Sequence, residues 1–415
     1  MGLVGLAFLA LGAFGCKPPE PTTGNETTGG QNSASTEPES TGGGRPAPTS
    51  DGPKVEGDVI KIGLVASQNG ELKPWGADSI QGAKLAEDEI NAAGGIKGKK
   101  VQIIVGDTQS KAEVGKTAAE KLVAQDKVIG ILGEVASGIT MPVADVAYAN
   151  GIPLIAIGAT KPEISDTGTN IFRVCYTDNF QGPVMAKFAY ERLGLRKIAV
   201  MTDNKQPYSQ FLSKSFSEYF TKLGGTIVGE QNYESGATQF SGQLTAIKGL
   251  SPDGMFLSGY FTEVGPIAKQ AHLMGMKGVK FLGGDGWDSS QLITSGGEAI
   301  IGGYFCNHYN NQEDRPIVKS FLEKWKTKYG GEPGTTMGAL GYDAAMLMFD
   351  ALNRADNLTA KDAIAALENT EGFAGVSGDI TLKGKHGDPE KRALVVEVTQ
   401  QGQKFAAAYE PSDVK

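Results

Sequence analysis

The stretch VIKIGLV at residues 59–65 is a short apolar run of the kind that forms a buried β-strand. An amphipathic helical pattern follows it at residues 76–93, and Gly94-Gly95 ends that pattern as glycine commonly ends a helix. The next apolar run, residues 101–105, is again as short as a strand. A strand, a helix and a strand in this order predict parallel pairing, with the helix as the crossover.

The same alternation continues and then restarts. Further strands are predicted at 128–132, 153–157, 197–201, 226–229, 255–258, 279–282 and 302–306. Helices are predicted between them at 113–125, 137–150, 208–223, 238–248 and 262–274. Two series of this kind predict an α/β protein with two doubly wound, parallel-sheet lobes.

The last third of the folded chain breaks the alternation. Three helices without intervening strands are predicted at 316–329, 339–352 and 360–368, followed by an antiparallel pair at 393–399 and 404–409. We expect the late helices to return to the first lobe and the hairpin to the second, so that three crossings form a hinge. The expected lobes are 58–175 plus 307–377, and 176–306 plus 378–415.

The first 57 residues differ from the rest in composition. Residues 1–15 are almost wholly apolar and too short to span a bilayer, which is typical of a signal peptide. Ala13-Phe14-Gly15-Cys16 resembles a lipoprotein cleavage box, so Cys16 is the expected lipidation site; a plain secretory signal is the alternative. Residues 16–57, rich in Pro, Thr, Gly and Ser, are expected to form a disordered tether. The protein is therefore expected to be exported and membrane-anchored.

Composition and motifs exclude several functions. The net charge of −8 and the absence of a basic stripe disfavour a nucleic-acid partner. The sequence has no GxGxxG after a strand, no GxxxxGK[ST], no GxSxG and no zinc-ligand spacing. We therefore expect no cofactor, no metal and no enzymatic activity.

Ligands of open α/β sheets bind beyond the carboxyl ends of the strands. Ser137 and Thr160 follow two neighbouring predicted strands at helix starts, where a hydroxyl and free backbone N–H groups favour a carboxylate. Each has a simpler interpretation, because Ser137 can act as an N-cap and Thr160 forms a capping-box spacing with Glu163.

The second lobe offers complementary groups. Asp285, in a glycine-rich strand end, can face a ligand ammonium, and Tyr260 follows the strand before it. Trp75 and Tyr208 lie where loops enter helices and can enclose a ligand side chain. The alternatives are an Asp-Gly turn for Asp285 and local packing for the aromatic residues.

These segments together resemble the leucine-isoleucine-valine-binding family of type I periplasmic binding proteins. The similarity is carried by Ile62-Gly63-Leu64, by DEINAAGGIKG at residues 88–98, by GEVAS at 133–137, by Gln181-Gly182-Pro183 and by Gly283-Gly284-Asp285-Gly286. It covers about residues 58–411. One departure is Ala136, where relatives with a first-lobe disulfide carry a cysteine before the binding serine.

The resemblance implies a type I periplasmic binding protein fold and a role for each site residue. Ser137, Thr160 and the backbone at Gly158 would hold the ligand carboxylate, and Asp285 the ligand amino group. Tyr260 would be a neighbouring contact, and Trp75 and Tyr208 would line the cleft. Glu134 is expected either to contact a polar ligand side chain or to cap its own loop.

The resemblance also places Cys175 and Cys306 at adjacent lobe crossings, where a disulfide would stiffen the hinge; two buried thiols are the alternative. The expected function is capture of an amino acid or similar carboxylate by a monomer, for uptake through an ABC permease. A sensing lipoprotein with the same clamp and an exported α/β enzyme remain alternatives.

Overall fold

The structure, a computed structural model, describes residues 45–414. The predicted signal peptide, Cys16 and the first part of the tether lie outside these residues. The described chain forms two separate sheets, each covered by helices.

The first sheet is wholly parallel, in the order β2-β1-β3-β4-β5. Its strands are β1 (Val59–Ala66), β2 (Lys100–Asp107), β3 (Ile131–Leu132), β4 (Leu154–Ala156) and β5 (Ile171–Arg173). Its connecting helices are α1 (Lys73–Ala92), α2 (Ala112–Ala124) and α3 (Ser137–Ala149). The side chains of β1 are buried along most of its length, as its apolar run predicts.

The second sheet has the order β12-β11-β10-β9-β8-β6-β7. Its strands are β6 (Lys197–Asp203), β7 (Thr226–Tyr233), β8 (Gly254–Leu257), β9 (Lys280–Gly283), β10 (Tyr304–Asn307), β11 (Ala393–Thr399) and β12 (Gly402–Tyr409). The remaining helices are α4 (Asp178–Lys187), α5 (Pro207–Lys222), α6 (Ser241–Gly249), α7 (Phe261–Leu273), α8 (Ser290–Gly296), α9 (Pro316–Tyr329), α10 (Met337–Arg354) and α11 (Ala360–Glu368).

The structure confirms the predicted architecture of two parallel-sheet α/β lobes. The late hairpin joins the second sheet, because β11 pairs antiparallel with β10 and with β12. Helix α10 packs against α1, β3 and β4, so the late helices return to the first lobe. The chain therefore passes between the lobes three times.

Sequence patterns missed β5, α4 and α8. Strand β5 has only three residues. Helix α4 carries Gly182 and Pro183 inside it, and both residues have low helix propensity. Helix α4 packs against α5, and this tertiary packing compensates for the weak local helix propensity. No helix within residues 45–414 is long and apolar enough to span a membrane.

The ordered part begins before the boundary expected at Asp58. The Arg45 guanidinium donates to the carbonyl oxygens of Gly168, at 3.0 Å, and Ile171, at 2.6 Å. Further along, the Val55 N–H donates to the Leu358 carbonyl at 2.9 Å. Residues 45–57, placed in the tether by composition, thus lie against the first lobe.

The structure does not form the disulfide considered between Cys175 and Cys306. Both cysteines are buried free thiols. The Cys175 thiol donates instead to the Ala159 carbonyl, at 3.4 Å. Burial raises the pKa of Cys175 to about 12, so that side chain stays a neutral thiol rather than a reactive thiolate.

The docked N-terminal segment yields a stability prediction. Arg45→Ala should lower the free energy of unfolding by about 1–3 kcal/mol, because hydrogen bonds from a charged donor to partly buried carbonyl groups are lost. Urea denaturation of the purified protein measures the change. Glu56→Ala, at an exposed position of the same segment, is the control and should change stability by less than about 0.5 kcal/mol. Equal stability of the two variants would contradict a docked segment.

Candidate ligand-binding site

A narrow, partly open cavity of about 10 Å³ lies where the ends of the two sheets face each other. Residues of both lobes line it: Trp75, Val135, Ser137, Gly158, Tyr208, Tyr260, Asp285, Gly286 and Met337. Six of the eight residues expected to bind ligand are among them. The other two, Thr160 and Glu134, are buried close to the cavity wall.

The first-lobe wall is built from the ends of β3 and β4. Ser137 is the first residue of α3, and its Oγ accepts a hydrogen bond from the Lys161 N–H at 3.3 Å. Gly158 lies after β4, where a Cβ atom would come within 2.9 Å of Met337 and Val135. A hydroxyl, a helix N-terminus and the backbone of Gly158 therefore line the cavity together, which suits an anion.

The loop that carries Thr160 is held from behind by a buried arginine. Arg173 Nη1 donates to the carbonyl oxygens of Ala159, at 2.6 Å, and Lys161, at 3.0 Å, on either side of Thr160. Its Nε forms an ion pair with Asp388 at 2.5 Å. The Thr160 hydroxyl lies 3.4 Å from Gln181 Nε2.

Glu134 is engaged by its own lobe. Its Oε1 accepts hydrogen bonds from the hydroxyl groups of Ser67, at 2.6 Å, and Thr108, at 3.1 Å. Its Oε2 accepts from the backbone N–H groups of Val135 and Ala136. Burial raises the pKa of Glu134, while these four donors oppose that shift. This geometry matches a loop-capping role better than a ligand contact.

The second-lobe wall centres on Asp285, which is 4% exposed. Its Oδ1 accepts hydrogen bonds from the Tyr208 hydroxyl, at 2.8 Å, and from Gln181 Nε2, at 2.9 Å. Its Oδ2 lies 2.9 Å from His308 Nε2. Among the described residues, no lysine or arginine forms an ion pair with Asp285. A buried carboxylate of this kind is suited to an incoming cation.

Aromatic rings enclose the rest of the cavity. Tyr208 and Tyr260 stack with their centroids 5.3 Å apart, and Trp75 meets Tyr260 edge-on at 5.1 Å. The Tyr260 hydroxyl is buried and has no hydrogen-bond partner within residues 45–414. A buried hydroxyl without a partner is costly unless another group supplies one.

Direct contacts between the lobes lie beside the cavity. Trp75 Nε1, in the first turn of α1, donates to the Asp288 carbonyl at 2.7 Å. The Asp288 carboxylate accepts from the N–H and the hydroxyl of Thr336, at 2.6 and 2.7 Å. Thr336 precedes the cavity-lining Met337, so these contacts join the two walls.

Asp178, Gln181 and His308 form a buried group behind Asp285. Burial first, and then repulsion from Asp285, raises the pKa of Asp178 to about 8. His308 stacks on Tyr176 with ring centroids 4.2 Å apart, and its Nδ1 has no partner among the described residues. Side chains from α4 and from the end of β10 therefore support the Asp285 carboxylate.

Sequence reasoning missed several of these residues for identifiable reasons. Met337 belongs to a late helix that no local pattern connects with the early strand ends. Gln181 was visible only as part of the Gln181-Gly182-Pro183 resemblance. His308 stood alone in the sequence, although its position directly after a predicted strand end was a usable signal. Within residues 45–414, no group of three or more His, Cys, Asp or Glu side chains could hold a metal ion.

Comparison with known proteins gives consistent relatives. The family model described as periplasmic binding protein matches residues 59–403. The chain is 31% identical over 307 residues to Leu/Ile/Val-binding protein homolog 3 of Brucella melitensis, covering 74% of this chain and 82% of that protein.

Solved structures agree. A leucine-binding protein, LivK, from Thermotoga maritima superposes with a TM-score of 0.81 at 35% identity, covering 85% of this chain and 99% of that one. The branched-chain amino acid transporter substrate-binding protein LivJ of Streptococcus pneumoniae, in complex with isoleucine, gives a TM-score of 0.78 at 31% identity with the same coverage.

The raised pKa of Asp178 predicts a pH dependence of stability. The folded protein keeps a proton on Asp178 up to about pH 8, whereas an unfolded aspartic acid releases it near pH 3.9. The stabilisation from this group is therefore fully present below about pH 4 and is lost as the pH rises towards 8. Asp178→Asn should reduce the fall in unfolding free energy between these values, measured by urea denaturation. Asp145→Asn, exposed on α3, should leave the pH profile unchanged; a profile equally unchanged by Asp178→Asn would contradict the prediction.

Proposed function

Because the chain belongs to the periplasmic binding protein family, we propose that it is an exported solute-binding protein that captures an α-amino acid with an apolar side chain. We propose that it delivers this ligand to an ABC permease and performs no bond chemistry. The observation that carries the proposal is the pairing of Ser137 and Asp285 on opposite walls of one cavity.

The two walls suit the two ends of an amino acid. Ser137, Thr160 and the backbone at Gly158 are proposed to bind the carboxylate, helped by the N-terminus of α3. Asp285 is proposed to bind the ammonium, with the unpartnered Tyr260 hydroxyl beside it.

The side-chain end of the cavity is apolar. Trp75, Val135 and Met337 line it, and Asp285 is the only charged residue among the described lining residues. A second charge on the ligand would find no opposite charge there. This agrees with the relatives, which are named as a Leu/Ile/Val-binding protein homolog and a leucine-binding protein or were solved with isoleucine bound.

Capture is proposed to occur by closure of the lobes. The carboxylate-binding groups and Asp285 follow strands of different sheets, so both ends of the ligand are gripped only when the sheets approach. Closure removes water and strengthens the charged contacts. The ligand favours the closed form through its higher affinity for that form.

The proposed lobes are 58–175 plus 307–377, and 176–306 plus 378–415. The proposal includes anchoring through a lipidated Cys16 and a monomeric binding unit. It is supported by the composition of residues 1–57 and by the separate sheets of the described chain.

The proposal predicts which parts of a ligand matter. L-leucine, L-isoleucine and L-valine should raise the melting temperature and bind with micromolar dissociation constants in isothermal titration calorimetry. The analogues 4-methylpentanoate and isopentylamine, which each lack one charged group of leucine, should bind at least about 30-fold more weakly, since a buried charge then loses its partner. Equal affinity for leucine and 4-methylpentanoate would refute the ammonium site.

Removal of the Asp285 charge gives a matched test on the protein side. Asp285→Asn should weaken L-leucine binding at least about 30-fold, since the ligand ammonium loses its counter-charge. Asp145→Asn is the control, because it removes a carboxylate from the exposed face of α3. Unchanged leucine affinity in Asp285→Asn, with normal folding, would contradict the assignment.

Variants of two adjacent threonines distinguish the contribution of lobe closure to ligand affinity from that of direct ligand contact. Thr336→Val removes a hydroxyl that bonds across the lobes to Asp288, and should weaken L-leucine binding about tenfold. Thr335→Val removes a hydroxyl that bonds to Asp78 in the first lobe, and should have a smaller effect. Calorimetry gives the affinities, and small-angle X-ray scattering follows the compaction on binding. An equal loss of affinity in both variants would contradict a specific closing contact at Thr336.

A further inference from the structure

We propose that Gln181 is a positioning residue that couples Thr160, on the carboxylate side of the cavity, to Asp285, on the ammonium side. The inference rests on the proposed function and deepens it. The site would then act as one coupled unit rather than as two independent halves.

Gln181 is fully buried in the first turns of α4. Its Nε2 lies 2.9 Å from Asp285 Oδ1 and 3.4 Å from Thr160 Oγ1, and it also donates to Asp178. Its Oε1 accepts a hydrogen bond from the Asp285 N–H at 3.2 Å. One amide therefore holds both the backbone and the carboxylate of Asp285 while it reaches the Thr160 hydroxyl.

The other supports of Asp285 do not make this connection. Tyr208 holds Oδ1 from α5, and His308 holds Oδ2 from the end of β10. Among the described hydrogen bonds of the Asp285 carboxylate, the one to Gln181 leads to Thr160, on the carboxylate side of the cavity. The side chain of Gln181 is thus the bridge between the two strand ends.

One amide donor group serves both sides of the cavity. With a carboxylate bound, the hydroxyl of Thr160 donates to the ligand while its oxygen accepts from Gln181. Chains in which each group donates onward strengthen one another in a low-dielectric interior. The other hydrogen of the same amide is shared between two acidic side chains, Asp285 and Asp178, so the bonds to Thr160 and to Asp285 draw on one donor group. Changes at Thr160 and around Asp285 should therefore influence each other through Gln181.

Asp178 lies beside this bridge, and its carboxyl group is hydrogen-bonded by the side chains of both Gln181 and Thr160. Its Oδ2 is buried and has no partner within residues 45–414. Burial and the nearby Asp285 charge raise the pKa of Asp178 to about 8, so it is neutral at neutral pH. The carboxylate of Asp285 is then free of a second negative charge beside it and can meet the ligand ammonium alone.

A double-mutant cycle tests the coupling. Thr160→Val removes a hydroxyl on the carboxylate side of the cavity. Tyr208→Phe removes a hydroxyl beside Asp285. Dissociation constants for L-leucine are measured by calorimetry for both variants and for their combination, first with Gln181 present and then with Gln181→Met. With Gln181 present, the double variant should depart at least about threefold from the product of the single effects. In the Gln181→Met background, the change in dissociation constant of the double variant should equal the product of the two single changes to within about twofold.

Gln270→Met is the matched control. Gln270 also bridges separate segments, through bonds to the Phe240 N–H and the Thr238 carbonyl, but at a distance from the cavity. The Gln270→Met variant should leave the coupling between Thr160→Val and Tyr208→Phe intact. A purely structural role of Gln181 would lower stability without removing that coupling. Gln181→Asn, which keeps the amide but withdraws it by one methylene, replaces Gln181→Met if the latter fails to fold.

The outcomes distinguish a failure of the Gln181 inference from a failure of the proposed function. If the wild type binds leucine but the coupling persists in Gln181→Met, the Gln181 bridge is overturned and the proposed function stands. No binding of L-leucine, L-isoleucine or L-valine by the wild type overturns the proposed function, and the bridge with it. Coupling that disappears in Gln181→Met and persists in Gln270→Met supports the bridge.

Discussion

The site depends on one buried negative charge. Asp285 is almost completely shielded from water, yet the described chain offers it neutral donors and His308 rather than a lysine or an arginine. Hydrogen bonds from Tyr208 and Gln181 keep the carboxylate in place but do not cancel its charge. A charge taken out of water is costly unless it is paired. The arrangement thus supports the proposed binding of a cationic ligand group, and the aromatic rings of Tyr208, Tyr260 and Trp75 line the same cavity.

Two other buried charged groups, Glu134 and Arg173, are already satisfied, and this contrast separates scaffold from site. Glu134 accepts four hydrogen bonds within its loop, and Arg173 combines an ion pair to Asp388 with bonds to loop carbonyl groups. Both groups fix the backbone that carries Ser137 and Thr160. Their bonding capacity is used internally, so they shape the proposed anion-binding wall and keep no free group for a ligand.

The sequence predicted the architecture well because strand–helix alternation is a local signal. The apolar run at β1 and the amphipathic pattern of α1 need no knowledge of distant residues. The strand-end rule then selected Ser137 and Asp285, which line the same cavity. Met337 and Gln181 were not predicted as site residues because their positions beside the cavity come from tertiary packing. The cysteine pair shows the limit of resemblance, since adjacency of crossings does not decide whether two buried thiols are bonded.

Affinity in such a clamp has two sources that must act together. Contacts between ligand and protein supply one, and contacts between the lobes, such as Thr336 with Asp288 and Trp75 with the Asp288 carbonyl, supply the other. Trp75 lines the cavity and also bonds across the lobes, so one side chain belongs both to the proposed ligand site and to the interlobe contact. Asp288 lies three residues after Asp285, so the proposed ammonium-binding position and the interlobe contact belong to one short segment of the chain. Movement of this segment would carry both groups together.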